Sequence, residues 1–338
     1  MPASARRSAI TVFPPCAVPG ARVTVRLPHY DVDARQLPEI RIGGLPARVV
    51  FASTRSAGVL VPDGLASSHV NVAVDGVKGI GYLDVALPFA TDLHQVDNPV
   101  FDRESNLYVT DSGPRGQRVA VSIFRVRPDG TREPFVSGIV NATSMAFGPD
   151  RRLYVSSRFD GKVYRVDPDG GAAPIGTDLG IACGLAFAAD GSLFVGDRTG
   201  TILRLDPASG TAHPHATIPS SVAAFHLAMG PDGALYATGP TLASYDHVYR
   251  IGEDGGVEIV TSAFGRPQGL AFDPAGVLHV VEAAAGWSGV YRVTNDGRTI
   301  EPIVAATNLV GLAFDPGGGL VVSSNDTAYR FLPSSLQP

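Results

Sequence analysis

Four carboxylic acids and one histidine are the side chains of this 338-residue chain whose types and positions best suit chemistry. Asp97, Asp111, Asp197 and Glu282 lie beside predicted strand ends, and carboxylates that met near one axis would bind a divalent cation such as Ca²⁺, Mg²⁺ or Zn²⁺. A histidine such as His226 can act as a base near neutral pH. Two interpretations stay open: the acids hold a cation beside a basic His226, or they cap strand ends and bind arginines while His226 packs in the core.

A second group of side chains is suited to holding a small molecule. Trp287, the only tryptophan, would either stack on a sugar or aglycone, or cover the strands beside it. We predict catalytic roles for His226 and Glu282, ligand-binding roles for Asp111, Arg158, Asp197, Gln268 and Trp287, and metal binding by Asp97 and Asp197.

A repeat in the C-terminal part of the chain must position these residues. The pattern is small-Leu-Ala-Phe, a turn of the Asp-Gly type, Leu-aromatic-Val, a gap and then Val-Tyr-Arg. The leucine that opens the second apolar run recurs at spacings of 46, 40, 42, 43 and 42 residues, as Leu107, Leu153, Leu193, Leu235, Leu278 and Leu320. Such periods are typical of solenoids, propellers and arrays.

Each copy of the repeat supplies three evident strands and a weaker fourth. The third run has forms such as Val163-Tyr164-Arg165 and Val290-Tyr291-Arg292. More polar segments at 133–136, 173–175, 257–260 and 301–304 suit an outermost edge strand. Four antiparallel strands in each of six copies, joined by Pro-Asp-Gly and Asn-Asp-Gly turns, predict an all-β fold with a six-bladed β-propeller.

The sequence also indicates how the ring of blades would close. The last copy ends soon after Tyr329-Arg330-Phe331 and leaves no room for a fourth strand. Residues 88–93 resemble residues 174–179, at an offset of 86 that also relates Phe101 to Phe187. We therefore predict that residues 88–93 form the outer strand of the sixth blade, which removes two exposed edges.

The strand ends at one face of such a ring define where a site would lie. The start positions come two residues before the repeated apolar residue of each first strand: Asp97, Thr143, Cys183, Phe225, Gln268 and Val310. The end positions close each second strand: Asp111, Ser157, Asp197, Gly239, Glu282 and Ser324. Both sets would surround the mouth of the central channel, with Arg158, Arg198, His226, Trp287 and Asn325 nearby.

Residues 10–87 lack the repeat and have about seven short alternating strands between Gly and Pro turns, which predicts a β-sandwich. The motifs Val18-Pro19-Gly20, Ile40-Arg41-Ile42-Gly43-Gly44 and Pro62-Asp63-Gly64 resemble the IPT/TIG family of immunoglobulin-like domains. That resemblance implies a spacer or interaction module. We predict a sandwich over residues 1–87 and a propeller over residues 88–338.

The repeats, through motifs such as Gly269-Leu270-Ala271-Phe272-Asp273, resemble the NHL and SMP-30/gluconolactonase-like six-bladed propellers. The resemblance implies a divalent metal held by one Glu, two Asn and one Asp at start positions of separate blades. Here Asp97 could replace the Glu, but the other start positions include Cys183, Phe225 and Gln268, and an aromatic ring cannot coordinate a hard cation.

Composition narrows the function classes. The formal net charge of −5 gives no basic footprint for nucleic acid. No apolar run reaches the roughly 20 residues of a membrane span, and no signal peptide is evident, so we expect a cytoplasmic protein that binds no membrane. The chain has two cysteines, Cys16 and Cys183, which we expect to be free thiols.

Three functions follow from these observations. The first is a binding protein that presents the channel mouth to a small ligand or a protein partner, favoured because the repeat is intact and the lactonase ligands are not. The second is a metal-dependent hydrolase of the lactonase type, or a lyase, acting at the central channel. The third is a structural role through the IPT/TIG-like domain.

Overall fold

The computed structural model describes residues 10–27, 37–284, 286 and 288–331. Over these residues the chain is all-β, with strands joined by turns and no α-helix. No helix in this described part is long and apolar enough to cross a membrane. Two compact units are present, with a division between Leu87 and Pro88.

The first unit contains nine strands, and Pro302–Thr307 and Phe331 are grouped with it. Its strands are β1 (Thr11–Phe13), β2 (Cys16–Ala17), β3 (Arg22–Arg26), β4 (Ile40–Ile42), β5 (Leu45–Ala47), β6 (Val49–Ala52), β7 (Ser56–Leu60), β8 (His69–Val74) and β9 (Gly81–Val85). One sheet has the order β1-β3-β7-β6, and a second set runs β2-β9-β8-β4-β5. Alternation of buried and exposed residues, as in Arg22–Arg26, is what a sheet with one core-facing side requires.

The second unit consists of sets of four strands. They are β10 (Leu87–Ala90), β11 (Val100–Phe101), β12 (Leu107–Thr110), β13 (Ile123–Val126), β14 (Arg132–Val136), β15 (Ala142–Phe147), β16 (Leu153–Ser157), β17 (Lys162–Val166), β18 (Ala172–Gly176), β19 (Ala182–Phe187), β20 (Leu193–Asp197), β21 (Thr201–Leu205), β22 (Ala212–Thr217), β23 (His226–Met229), β24 (Leu235–Thr238), β25 (Asp246–Ile251), β26 (Val257–Phe264), β27 (Pro267–Phe272), β28 (Leu278–Glu282), β29 (Gly289–Thr294), β30 (Thr299–Ala305), β31 (Leu309–Phe314), β32 (Leu320–Ser324) and β33 (Ala328–Phe331).

Five of these sets follow chain order from the first strand outward. They are β11 to β14, β15 to β18, β19 to β22, β23 to β26 and β27 to β30, and the sixth set has the order β31-β32-β33-β10. The repeated leucines begin the second strands at Leu107, Leu153, Leu193, Leu235, Leu278 and Leu320. These second strands are almost wholly buried, whereas outer strands such as β14 and β18 are largely exposed.

Turn chemistry explains where the outer hairpins reverse. In the turn between β13 and β14 the Asp129 carboxylate accepts the Thr131 N–H at 2.8 Å, and Gly130 has a φ of 88°. Only glycine adopts that left-handed conformation without strain, which is why the Pro-Asp-Gly sequence marks the turn.

Aromatic residues pack successive sets against one another. Tyr108 of β12 contacts Phe147 of β15 edge to face, with 5.3 Å between ring centroids, and Tyr154 contacts Phe187 in the same way at 4.8 Å. The first strands contact in the order β11, β15, β19, β23, β27 and β31, and β31 contacts β11. The first strands therefore surround a common axis.

The predicted pairing of the segment before the first copy with the end of the last copy is found. Strand β10 pairs with β33 at the outer edge of the set β31-β32-β33. Backbone hydrogen bonds continue the contact, from Leu93 N–H to Asp326 O at 3.0 Å and from Gln95 N–H to Asn325 O at 2.8 Å. This contact fixes the loop that carries Gln95 and Asp97 at the start of the first copy.

Candidate functional site

His226 and Asp97 form a hydrogen-bonded pair in the interior of the second unit. His226 begins β23 and is 0% exposed, and Asp97 precedes β11 and is 2% exposed. Nδ1 of His226 bonds the Asp97 carboxylate, which also accepts the backbone N–H of Asn98 at 2.7 Å. This hydrogen bond thus joins the first copy of the repeat to the fourth, between residues that lie 129 positions apart in sequence.

The remaining nitrogen of His226 is free within the described part of the chain. Its Nε2 is buried and has no hydrogen-bond partner there. A carboxylate that accepts the Nδ1–H of an imidazole leaves the lone pair of the neutral ring on Nε2. Such an orphaned buried acceptor costs about 1–3 kcal/mol, and its chemistry is that of a base.

A cavity of about 270 Å³ lies at the end of the first strands where the start positions are found. We call it the mouth pocket. Its lining residues are Gln95, Val96, Arg158, Ile181, Cys183, Arg198, Val222, Ala223, Ala224, Gln268, Val310 and Asn325. The structure therefore places the predicted ligand-binding residues Arg158 and Gln268 in one cavity, with three of the six start positions (Cys183, Gln268 and Val310).

Gln95 is the most unusual residue of the mouth pocket. Its side chain is 0% exposed, and neither its amide oxygen nor its amide nitrogen has a hydrogen-bond partner in the described structure. Its backbone is held on both sides, because its N–H donates to Asn325 O and its carbonyl accepts Asn325 Nδ2–H at 2.7 Å. A buried amide without partners is rare in proteins and requires an explanation.

Two arginines give the mouth pocket its charge. Neither Arg158 nor Arg198 forms an ion pair with a carboxylate of the described residues. Burial lowers the pKa of Arg158, and the nearby positive charges of Arg115 and Arg198 lower it further, with Cys183 opposing them. The protein therefore keeps the positive charge of Arg158 in this pocket at a cost in free energy.

Cys183 is a protonated thiol at neutral pH. Burial, and after it the charge of Asp97, raise its pKa to about 12, although Arg158 and Arg198 act in the opposite direction. Because the thiolate is the nucleophilic form, Cys183 is inert near pH 7. Cys183 is a free thiol, as expected from the sequence.

The other predicted acids are engaged locally. Asp197 accepts the Ile181 N–H at 2.8 Å and the Thr199 hydroxyl. Glu282 accepts three backbone N–H groups, from Gly265 at 2.6 Å, Arg266 at 2.9 Å and Ala284 at 2.6 Å.

Neither Asp197 nor Glu282 lines the mouth pocket, and Glu282 lines another cavity. Half-buried Asp111 forms a β-bridge with His94 and also lies outside the lining. Trp287 lies outside the described residues.

The divalent-metal set implied by the gluconolactonase resemblance does not fit the described residues. No three or more His, Cys, Asp and Glu side chains in that part of the chain gather as metal ligands would. Asp97 already bonds His226 and Asn98, and Asp197 and Glu282 are occupied by backbone N–H groups. The structure brings Asp97 to His226 and leaves Asp111, Asp197 and Glu282 apart from that pair.

A larger cavity, of about 600 Å³, lies at the opposite end of the first strands. Its aromatic lining packs on neighbouring sets, for example Phe147 on Tyr108 and Phe272 on Tyr236. Asp102 there is used by Glu104 N–H, Asn106 N–H and the Tyr108 hydroxyl. Because the aspartates of this larger cavity are bonded within the fold, the mouth pocket, with its unpartnered buried amide, is the stronger candidate for a site.

The sequence-based prediction missed Gln95. The residue stands two positions before the start position Asp97, where the other copies have Asn141, Ile181, Ala223, Arg266 and Asn308. Ile181 and Ala223 also line the mouth pocket, so this third recurring position was the signal that could have found Gln95.

No family model matches this sequence, and no curated protein does. Solved structures do match. An auxiliary nutrient binding protein from Bacteroides ovatus is 16% identical, with a TM-score of 0.57 over 96% of this chain and 97% of that protein. A gluconolactonase from Xanthomonas campestris is 19% identical, with a TM-score of 0.61 over 73% of this chain and 89% of that one.

An inactive virginiamycin B lyase from Staphylococcus aureus, solved with quinupristin, is 14% identical, with a TM-score of 0.54 over 86% of this chain and 99% of that one. The chain has a gluconolactonase-like β-propeller fold. At these identities the similarity shows the fold alone, and function must be argued from the site.

Proposed function

We propose that this chain is a binding protein whose mouth pocket holds a small molecule. The observation that carries the proposal is Gln95, a wholly buried amide that lines the pocket with both polar atoms unpartnered. Because the amide has no accessible surface in this structure, the Gln95 side chain would have to turn into the pocket to meet a ligand, which would then supply the missing donor and acceptor. The polar side chains of the lining, Arg158, Arg198, Gln268 and Asn325, support the same conclusion.

The architecture that we propose around this site is a six-bladed ring with an immunoglobulin-like sandwich before it. The ring is supported by the contact order of the first strands and by the pairing of β10 with β33. The sandwich, of IPT/TIG type, is supported by the two sets of strands in the first unit. The ring would serve as a rigid support for the loops that line the mouth pocket.

A blocking substitution tests the binding proposal. Ala223 is a half-buried lining residue in a loop, and Ala208 is an exposed turn residue of the same unit. Wild type, Ala223→Phe and Ala208→Phe would be screened by thermal shift and calorimetry against small polar compounds, both neutral and charged. We expect compounds that raise the melting temperature of wild type and Ala208→Phe but not of Ala223→Phe. A screen in which no compound binds wild type, or in which Ala223→Phe binds equally well, contradicts the proposal.

A hydrolase or lyase is the second candidate, and the His226–Asp97 pair favours it. A carboxylate that orients an imidazole and leaves its Nε2 lone pair free is a common arrangement of a general base. The test is turnover of lactones by wild type and by His226→Asn, followed by mass spectrometry of the product. This candidate is contradicted if wild type forms no product, or if His226→Asn forms product at the same rate as wild type.

A divalent cation, Ca²⁺, Mg²⁺ or Zn²⁺, would belong to this second candidate. Asp97 is the one start position with a carboxylate. A thermal shift of wild type on addition of Ca²⁺, Mn²⁺ or Zn²⁺, absent from Asp97→Ala, would support metal binding, and no shift of wild type would exclude it.

A further inference from the structure

We propose that the mouth pocket selects an anion: a small organic oxyanion, with a carboxylate or phosphate head group bound by Arg158 and Arg198. This inference rests on the proposed binding function and names the class of its ligand. It follows from the charge of the lining, the pairing state of the arginines and the size of the cavity.

The lining carries two positive charges and no acid. Arg158 and Arg198 contribute guanidinium groups, whereas no Asp or Glu lines the cavity. Two acids of the same unit are already engaged and are not available as counter-ions. Asp97, whose charge acts on Cys183, bonds His226 and the Asn98 N–H. Asp197, the neighbour of Arg198 in sequence, bonds Ile181 N–H and Thr199.

The pairing of these arginines differs from that of the third-strand arginines in the same unit. Arg125 pairs with Glu133, Arg204 with Asp190, Arg250 with Asp232, Arg292 with Glu301 and Arg330 with Asp315. Four of those pairs are partly exposed at both partners, where water also solvates the charges, and in the fifth the Asp315 carboxylate is buried. In the more enclosed mouth pocket, where a counter-ion matters most, the described residues provide none for Arg158 or Arg198.

The positive charges of the pocket repel one another, and a bound anion would offset that repulsion. Arg158 is half-buried, and its charged form is destabilised by burial, by Arg115 and by Arg198. A planar guanidinium donates paired hydrogen bonds that match the geometry of carboxylate and phosphate oxygens. Binding of an oxyanion thus satisfies donors that have no partner among the described residues.

Size and the remaining polar groups restrict the ligand further. A volume of about 270 Å³ corresponds to about nine water molecules at roughly 30 Å³ each, so the ligand is a small molecule. The amides of Gln95 and Gln268 offer donors and acceptors beside the arginines. We expect an anion that also carries hydroxyl or carbonyl groups.

Titration calorimetry with matched compounds tests the inference. The carboxylates malate and citrate are compared with their uncharged amides, and inorganic phosphate and glycerol phosphate form a second arm that identifies the head group. Wild type, Arg158→Gln and Arg198→Gln are measured with Arg103→Gln as the control, because Arg103 is an exposed arginine of the same unit outside the mouth pocket. Circular dichroism establishes that each variant is folded.

We expect the anions to bind wild type, and each pocket variant to bind roughly tenfold to hundredfold more weakly, as for a lost hydrogen bond to a charged group. Arg103→Gln should bind as wild type does, and added salt should weaken binding. Amides that bind as tightly as the acids overturn the anion inference while the proposed function stands. Anion binding that both pocket variants retain overturns the assignment to these arginines, and no binding of any compound overturns the inference. The proposed function is overturned only if the broader screen of neutral and charged compounds also finds none that binds wild type.

Discussion

Replacement of Gln95 by methionine is expected to stabilise the protein while it removes binding. Methionine is close to glutamine in shape and has no polar atoms that need partners. Gln95 is 0% exposed, and its amide oxygen and nitrogen are both unpartnered in the described structure. Because an unsatisfied buried polar group costs about 1–3 kcal/mol, Gln95→Met should raise the free energy of unfolding by about 1–3 kcal/mol.

Scanning calorimetry of the ligand-free protein measures this change. A gain of 1 kcal/mol raises the melting temperature of a domain of 150–250 residues by about 2–4 °C, so we expect an increase of roughly 2–12 °C. The matched control is Gln117→Met, at an exposed glutamine, which should change stability by less than about 0.5 kcal/mol. A Gln95→Met protein that is less stable than wild type would refute the reasoning, because its amide would then be satisfied within the fold.

Three further outcomes follow from the same contacts. Asp97→Ala removes the acceptor of both His226 Nδ1–H and Asn98 N–H and should cost about 2–5 kcal/mol in urea unfolding, far more than Asp111→Ala. Glu282→Gln should cost about 1–3 kcal/mol, through lost bonds to backbone N–H groups, without weakening ligand binding at the mouth pocket in calorimetry. Burial raises the pKa of Cys16 and Cys183 from 9.0 to about 12, so alkylation of the native protein at pH 8 should be about a thousandfold slower than that of a model thiol.

The raised pKa values also predict the direction in which stability changes at alkaline pH. Burial likewise raises the pKa of Tyr108, Tyr154, Tyr164 and Tyr291 to about 12. These groups ionise in the unfolded chain first, so the unfolded state holds fewer protons above pH 9. The stability they contribute is complete below pH 9 and is lost as the pH rises towards 12, which urea unfolding at pH 8, 9.5 and 11 would detect as a falling midpoint.

Strand positions within the repeat could be predicted because they depend on local pattern. The repeated leucines, from Leu107 to Leu320, all begin second strands, since an apolar run after an Asp-Gly turn has few alternatives. The outer strand β22 was expected as the fourth strand of its copy, but no segment was identified for it in the way that 173–175 was for β18. Its sequence contains Pro214, which lacks an N–H and is tolerated in a sheet only near an edge, so the segment lacks an ordinary strand pattern.

The candidate site was predicted less completely than the strands. Start positions such as Gln268 and Cys183 were expected at the channel mouth, and the structure places both in the mouth pocket. The roles of individual acids depend on contacts that no spacing encodes. Asp97 meets His226 across 129 residues, and Glu282 bonds N–H groups of a loop 16 and 17 residues earlier.

The environment of Gln95 also depends on contacts that are distant in sequence. A glutamine in a loop is ordinarily exposed, and no local pattern predicts that this one is buried without partners. Its burial results from the pairing of β10 with β33 and from the bonds of its backbone to Asn325, which fix the loop over the pocket. Long-range closure of the fold, rather than local sequence, creates this residue's environment.

The most direct measurement is a crystal structure of the protein grown with malate or glycerol phosphate. The account predicts density for one small anion in the mouth pocket, with its oxygens within hydrogen-bond distance of Arg158, Arg198 and the Gln95 amide. Density in the larger cavity beside Phe101 and Phe314, with the mouth pocket holding only water in direct contact with both arginines, would contradict it.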